Sequence, residues 1–585
     1  MIHPAAAFAR ELVAALSAHG VGDFVLCPGS RSGPLAHALA EASAESPPIG
    51  APHINLHVRI DERSAAFLAL GIARARALDG KPQPVALVTT SGTAVGNLLP
   101  AVMEAHHSGI PLILLTADRP SELRGIGANQ TTDQEGIFGQ FVRWEAEATA
   151  PEKNARTGRA TLLAARAVHW ALAVPDREDM ASAPGPVHLN VEFRDPLGPD
   201  AGPWPLIDPE KATLLDRTRS RLRGITLTSR GLPSAERGIV IAGDGAGDVA
   251  RKVAEAHGWP LLAEPTSGAR SGDNALCCYV AMLGTHEGQE LAAKVRQVVV
   301  IGRPTLSRPV QRLIDDAPML VVAAHGARWR EAPRHAERVL PIVPDEWLAP
   351  GKVDKGWLAA WHAACEDAVT ADDSTGGDLW NARAVARVFV ESLSATDVAV
   401  LGASGPIRMV DSVAPSWPVG QAPTLVANRG LAGIDGTTST AMGLALALGQ
   451  PVSVLLGDVT FLHDVGGLLI GVEFPIQSHD LTFHVDHGLH QVSKPLPGHD
   501  PEILHRNWRI DNPRRASLRS PECNQSQCRT AARFAQPGRR TMATEIARLP
   551  RIAAQSAIIP GLAFLPGPRR PANPVRCRRL HAVTS

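Results

Sequence analysis

Residues 24–34 read FVLCPGSRSGP, and this short stretch decides the fold. An apolar run suited to a buried strand is broken by Pro28 and Gly29, and a helix starts at Pro34, since proline is tolerated only in a helix's first turn. Ahead of it, Phe8, Leu12 and Leu16 recur at helical spacing and Gly20 ends that helix. Beyond it, β-type runs at 54–60, 85–88 and 112–115 are separated by helical stretches. Strand and helix alternate, which predicts a parallel sheet covered on both faces. Ligands of such sheets bind beyond the carboxyl ends of the strands. The Gly-, Ser- and Arg-rich turns found there are where chemistry is expected.

The pattern recurs twice. A Pro/Gly-rich linker at 195–205 precedes buried-strand runs at 238–242, 298–301 and 319–322. A polar stretch at 371–377 precedes runs at 398–401, 424–427 and 452–456. The expected fold class is α/β, with three doubly wound parallel-sheet domains in series at 1–195, 206–370 and 378–471. Near residue 472 the alternation stops, and 472–585 reads as an irregular tail rich in Arg and Pro.

Composition sets the outer limits. At 585 residues and 44% apolar content the chain can bury large cores, which excludes wholesale disorder. The 58 basic and 58 acidic residues balance only in sum. Residues 501–585 hold 16 Arg, no Lys and four acids, a charge of +12, whereas residues 1–500 hold 42 basic and 54 acidic groups, a charge of −12. The tail lacks interleaved aromatics, so no nucleic-acid partner is expected. Seven cysteines without a CxxC pair do not make a disulfide scaffold, and Cys277 and Cys278 read as buried thiols. The opening MIHPAAAFARELVAAL reads as an amphipathic helix rather than a signal peptide. No uncharged apolar run reaches ~20 residues unbroken, so a cytoplasmic protein with no membrane span is expected.

Taken singly, the motifs are weak. Glu62 opens an apolar helix, where an acid usually just complements the dipole. Ser91-Gly92-Thr93 is a small-residue turn as common in structure as in function. Arg119, Asn129 and Gln130 stand in loops after the 112–115 strand, where such residues more often bind than pack. Gly457-Asp458 ends an apolar strand, and a carboxylate there suits Mg2+ beside a phosphate. Gly243-Asp244-Gly245-Ala246-Gly247 is not GxGxxG and reads as a tight turn.

Taken together they are specific. CPGSRSGPL (27–35), DERSAAFLALG (61–71), TSGTAVGNLLPAVMEAHHSGIPLILLTADRP (90–120), GANQTTDQ (127–134), NRGLAGIDGTTSTAMGLAL (428–446) and GDVTFLHDVGGLLIG (457–471) occur in this order. Over residues 1–471 the chain closely resembles the 2-succinyl-5-enolpyruvyl-6-hydroxy-3-cyclohexene-1-carboxylate synthases (MenD family), which are thiamine-diphosphate-dependent enzymes of menaquinone biosynthesis. Thiamine enzymes in general share only the helix-starting glutamate and the Gly-Asp motif. The Arg-rich turns point to this member.

The resemblance implies a transferase that joins 2-oxoglutarate to isochorismate with loss of CO2, using thiamine diphosphate and Mg2+ or Mn2+. Glu62 matches the family's glutamate that hydrogen-bonds the cofactor's aminopyrimidine, and Gly457 and Asp458 match its diphosphate and metal motif. Ile434 would wedge between the cofactor's rings; a strand-end core residue is its plainer reading. The family pairs the pyrimidine domain of one subunit with the diphosphate domain of another. A homodimer or homotetramer is thus implied, with Glu62 and Asp458 from different chains. Both substrates are dicarboxylates, and the planar fork of Arg meets a carboxylate bidentately. The matching positions are Ser30, Arg31, Arg119, Asn129, Gln130, Ser404, Arg408 and Arg429, with Arg303 and Arg308 adding charge from the middle domain.

The resemblance breaks near the end. The family completes its metal site with an Asn about 27 residues beyond the Gly-Asp aspartate, in an N-[DN]-x-G-G turn. Here position 485 is Val, and only Asp480-Leu481-Thr482 resembles the start of the expected strand. Loss of that strand would leave an open sheet edge, and loss of the Asn would impair activity. The chain beyond that point has the composition of a GC-rich coding region read out of frame; a divergent tail is the alternative. The competing readings are another thiamine enzyme, of 2-oxoacid decarboxylase or acetolactate-synthase type, and a non-catalytic relic.

Overall fold

In a computed structural model of the chain, the described residues are 3–78, 82–152, 158–172, 183–207, 235–323, 333, 335–340, 342–351, 353–373, 381–469 and 481–486. All of them fall within one compact unit, residues 1–515. They build three parallel sheets. The first contains β1 (Asp23–Leu26), β2 (Asn55–Val58), β3 (Val85–Thr89), β4 (Leu112–Asp118), β5 (Glu145–Ala148) and β6 (Val187–Glu192), in the order β2-β1-β3-β4-β6-β5. The second contains β7 (Gly238–Ala242), β8 (Leu261–Ala263), β9 (Gln297–Ile301), β10 (Leu320–Ala323) and β11 (Arg338–Leu340), in the order β11-β10-β9-β7-β8. The third contains β12 (Val398–Leu401), β13 (Thr424–Val426), β14 (Val452–Gly457) and β15 (Leu481–Asp486), in the order β13-β12-β14-β15.

Side-chain alternation shows why the first sheet is covered on both faces. Ala86, Val88, Ile113 and Leu115 point into a core shared with Phe8, Leu12 and Leu16 of the Pro4–Ala18 helix. Their neighbours Val85, Leu87, Leu112 and Leu114 point the other way, into a core shared with Leu444, Val454 and Leu456 of the third domain. Each fully buried Val or Leu contributes about 1.5–3 kcal/mol, so this second core welds the first and third domains together.

The weld runs along two helices, Glu62–Leu78 and Thr437–Leu448. At their crossing a Cβ on Gly71 would lie 2.2 Å from the Thr440 carbonyl oxygen, and one on Gly443 would lie 2.2 Å from that of Leu68. Only glycine lets the two backbones approach so closely.

The expectation of a lost strand is corrected here. β15 pairs in parallel with β14, Val485 standing opposite Leu456 and Asp486 opposite Gly457. Leu481, Phe483 and Val485 alternate with Thr482, His484 and Asp486, a period-two pattern sufficient for an edge strand. The rest of the expected irregular tail lies outside the described residues. Cys277 and Cys278 are half-buried rather than buried, with their sulfurs 3.4 Å apart.

Candidate active site

Asp61 and Glu62 begin the helix that faces the third domain. The Asp61 carboxylate accepts the backbone N–H groups of Arg63 at 2.9 Å and Ser64 at 3.2 Å, which makes it the helix cap. With capping done by its neighbour, half-buried Glu62 is left for other work. Its Oε2 accepts from Asn97 Nδ2 at 3.4 Å. Burial, with Glu62 and Asp61 close by, pushes up the thiol of Cys27, the residue that follows β1.

The turns after β1, β3 and β4 converge. Arg119, only 9% exposed, donates to the Ser91 hydroxyl and, at 2.6 Å, to the Gln130 carbonyl oxygen. Gln130 Nε2 donates to the Ser91 carbonyl oxygen at 2.8 Å. These bonds hold Gln130 at a φ of +55°, a left-handed conformation that costs a non-glycine residue about 1–2 kcal/mol. Burial, and then the neighbouring Arg31, lowers the Arg119 pKa. Arg31 donates to the Phe193 carbonyl oxygen at 2.8 Å and lies 3.6 Å from Asp195. Ser30 and Asn129 sit exposed on the same turns.

A second cluster forms at the carboxyl ends of β12, β13 and β14. Ser404 precedes the Gly405–Val413 helix, and its carbonyl oxygen accepts from Arg408 at 2.6 Å. Arg429 donates to the Ala403 carbonyl oxygen at 3.3 Å and to the Thr305 hydroxyl of the middle domain. Its pKa is lowered by burial; Glu264 and Asp244 oppose that shift, and Arg408 adds to it. Ile434 is half-buried on the loop that follows Arg429. Asp458 opens the Asp458–His463 helix and accepts its neighbour Val459's N–H at 2.8 Å. Among the described residues, no hydrogen bond or ion pair joins Glu62, Arg31 or Arg119 to Asp458, Ser404, Arg408 or Arg429.

Of the two middle-domain arginines, Arg303 reaches the His107 carbonyl oxygen at 3.2 Å and Arg308 opens a helix, Arg308–Asp315. The Gly243–Gly247 turn serves structure: both carboxylate oxygens of Asp244 accept from Nη2 of Arg74 in the first domain, at 2.8 and 2.9 Å.

Several residues not singled out in the sequence hold these clusters. Asp464, fully buried, accepts Ser439 N–H at 2.7 Å in the first turn of the Thr437–Leu448 helix and Ser64 Oγ at 3.4 Å. Glu264, 2% exposed, accepts the N–H groups of Thr305 at 2.7 Å and Leu306 at 2.8 Å, and burial raises its pKa to about 8. Glu104, in the middle of an apolar helix, accepts N–H groups of the Arg429 loop. Glu104 is the only Asp, Glu, Lys or Arg in the Leu99–Ser108 helix, and that was the one available signal for it.

The residues present fit thiamine diphosphate at its pyrimidine end, where half-buried Glu62 keeps a carboxylate oxygen unengaged among the described residues. At the metal end the donor set falls short. Asp458, the first residue of the Asp458–His463 helix, offers a carboxylate, but position 485 on the neighbouring strand is Val, with no ligating atom. Among the described residues no group of three or more His, Cys, Asp or Glu comes together so as to hold a metal ion.

Known proteins bear on this arrangement. The family model described as thiamine pyrophosphate enzyme, N-terminal TPP binding domain, matches residues 7–137. A solved benzoylformate decarboxylase from Polynucleobacter necessarius superposes with a TM-score of 0.54 at 18% identity, covering 82% of this chain and 85% of that one, which supports the fold alone. Proteins named 2-succinyl-5-enolpyruvyl-6-hydroxy-3-cyclohexene-1-carboxylate synthase from Arthrobacter sp. strain FB24 and Kineococcus radiotolerans are 45% and 44% identical. The matches span 79% of this chain and 74% of the first, and 80% of this chain and 80% of the second. Likeness of that depth and extent means that the chain belongs to the 2-succinyl-5-enolpyruvyl-6-hydroxy-3-cyclohexene-1-carboxylate synthase family.

Proposed function

We propose that the chain carries out the thiamine-diphosphate-dependent, decarboxylating addition of 2-oxoglutarate to isochorismate, a transferase reaction of menaquinone biosynthesis. The observation that carries this reading is the gathering of arginines beyond the carboxyl ends of the strands, Arg31 and Arg119 after β1 and β4 and Arg408 and Arg429 after β12 and β13, each held by a backbone carbonyl. Several cations gathered at strand ends are stabilised when anions bind among them, and dicarboxylates are such anions.

Each residue has a defined part in this reading. When bound, thiamine diphosphate supplies the electron sink for loss of CO2. Glu62 would hold the aminopyrimidine through Oε1 and keep a proton shared with the ring, while Asn97 steadies Oε2. Ile434 would support the cofactor rings from the Arg429 loop. Gly457 and Asp458 would face the diphosphate and its Mg2+ or Mn2+. Arg119, Gln130, Arg31, Ser30 and Asn129 would orient one carboxylate-bearing substrate, and Ser404, Arg408 and Arg429 the other.

The reading includes a homodimer at least, which places Glu62 opposite the partner's diphosphate domain. Support comes from exposed apolar side chains after β14: Val459 at 60%, Leu462 at 68%, Val465 at 47% and Leu469 at 62% exposure. Apolar surface of this density marks an interface. No helix among the described residues is long and apolar enough to cross a membrane; the reading includes a cytoplasmic location. A second reading, a chain of reduced activity, is favoured by Val485 at the expected Asn position.

The test is an assay of the full chain with thiamine diphosphate, Mg2+, 2-oxoglutarate and isochorismate, following CO2 release and isochorismate loss. Turnover with pyruvate and none with 2-oxoglutarate would move the assignment to a 2-oxoacid decarboxylase or acetolactate-synthase type. Failure of calorimetry to detect cofactor binding would move it to a non-catalytic relic.

A further inference from the structure

Glu104 lies in the Leu99–Ser108 helix of the first domain with its side chain sealed from solvent. Its Oε1 accepts the Gly430 N–H at 2.8 Å and the Ser108 hydroxyl at 2.6 Å. Its Oε2 accepts the N–H groups of Leu431 at 2.5 Å and Ala432 at 2.8 Å. A buried carboxylate needs donors in place of its lost water shell, and here three of the four are consecutive backbone amides of a loop in another domain. The approach is close: a Cβ on Gly430 would lie 2.5 Å from Ser108 Oγ and 2.9 Å from Glu104 Oε2. The same loop carries Arg429, whose guanidinium is held from a second side by Thr305, and Ile434, which is half-buried. Asn97, just before the Glu104 helix, donates to Glu62. One continuous segment of the first domain therefore touches both the helix-starting glutamate and the third-domain loop.

We propose that Glu104 is a positioning residue, which sets the path of the 429–434 loop and thereby aims Arg429 and Ile434 at the substrate cleft. The proposal rests on the roles given above to Arg429 and Ile434. Glutamine at 104 keeps one acceptor oxygen but places an NH2 group against backbone donors, so part of the amide set loses its partner.

The experiment is hydrogen exchange by mass spectrometry on the full chain, comparing the parent with Glu104→Gln and with Ser108→Ala, which loosens the carboxylate without removing it. The expected result is exchange at 430–432 faster by about tenfold in Glu104→Gln, equivalent to ~1.4 kcal/mol. Ser108→Ala should give a smaller rise in the same segment, with 85–89 and 112–118 unchanged in both. If Glu104→Gln does not fold, Ser108→Ala alone carries this comparison. Unchanged exchange at 430–432, or acceleration spread through the first domain, would overturn the proposal. A second arm titrates 2-oxoglutarate calorimetrically in the presence of thiamine diphosphate and Mg2+. Glu104→Gln should weaken binding as Arg429→Ala does, and the double variant should lose no more; additive losses would overturn the aiming role. If the parent chain itself does not bind 2-oxoglutarate, the proposed function fails while the exchange result still decides whether Glu104 holds the loop.

Discussion

Arg270 and Asp411 pair at 2.9 Å across the junction of the middle and third domains, with side chains 2% and 4% exposed. Tyr279 donates to the same Asp411 oxygen at 2.6 Å, and Arg270 also reaches the carbonyl oxygens of Ala263, Cys277 and Ala414. Removing one partner strands the other charge without water. Asp411→Ala should destabilise the chain by about 3–5 kcal/mol. Urea unfolding measures this, and a loss below about 1 kcal/mol would mean that solvent reaches the junction.

Glu62→Gln should abolish exchange of the cofactor's C2 proton while leaving the circular dichroism spectrum and melting point unchanged. Asp61 carries the helix cap, so the fold does not depend on Glu62. Near-parent exchange in the variant would remove Glu62 from its assigned role. A version with a restored metal turn serves as host if the parent binds cofactor too weakly to read.

Alanine at Arg31, Arg119, Arg408 or Arg429 should each cost roughly 1.5–3 kcal/mol of carboxylate binding, about 10- to 150-fold. Steady-state kinetics with 2-oxoglutarate and isochorismate varied in turn shows which substrate each arginine serves. Unchanged kinetics in all four variants would place the substrates elsewhere.

A physical divide separates the features legible in the sequence from those it hid. Strand-end turns were readable because a Gly-, Pro- and Arg-rich break after an apolar run is local, as at Pro28–Arg31 and Asp118–Pro120. β5, with sequence EAEA, was invisible to hydrophobic patterning. It is an edge strand whose acids face partners on neighbouring elements, Glu145 bonding His188 at 2.6 Å and Glu147 pairing with Arg124. Glu104 escaped notice for a related reason, since its amide partners lie more than 320 residues away in sequence. Long-range polar satisfaction leaves no periodic trace.

Stability should fall as pH rises through Glu264's titration. Burial raises its folded pKa to about 8 from the ordinary value of 4.5. The folded state therefore holds a proton that the unfolded state has released, and the contribution, full at low pH, is lost as pH climbs to about 8. The slope from this group approaches ~1.4 kcal/mol per pH unit in the interval. Glu264→Gln, which still accepts the Thr305 and Leu306 amides, should flatten the slope. Denaturant midpoints between about pH 5 and 9 test it, and parallel curves for parent and variant would contradict it.

The chain as it stands should bind Mg2+–thiamine diphosphate weakly. A metal held by Asp458 and waters would be easily lost, and the Asp458 carboxylate would then oppose binding of an uncompensated diphosphate. Replacing residues 485–585 by a family-like segment with the Asn-Asp-x-Gly-Gly turn should tighten binding. Titration of both versions at equal Mg2+ decides; tight, metal-dependent binding by the unaltered chain would sink the idea.

The glycine crossing of Gly71 and Gly443 also constrains how the chain is made. One helix leaves the ribosome hundreds of residues before the other, so the first domain must wait with the face around Phe67 and Gly71 uncovered until residue 443 has emerged. At ~5–20 residues per second that wait lasts tens of seconds, during which an apolar helix face is open to wrong partners. A separately expressed first domain would never receive its cover, and should need either the third domain in trans or a chaperone to remain dispersed.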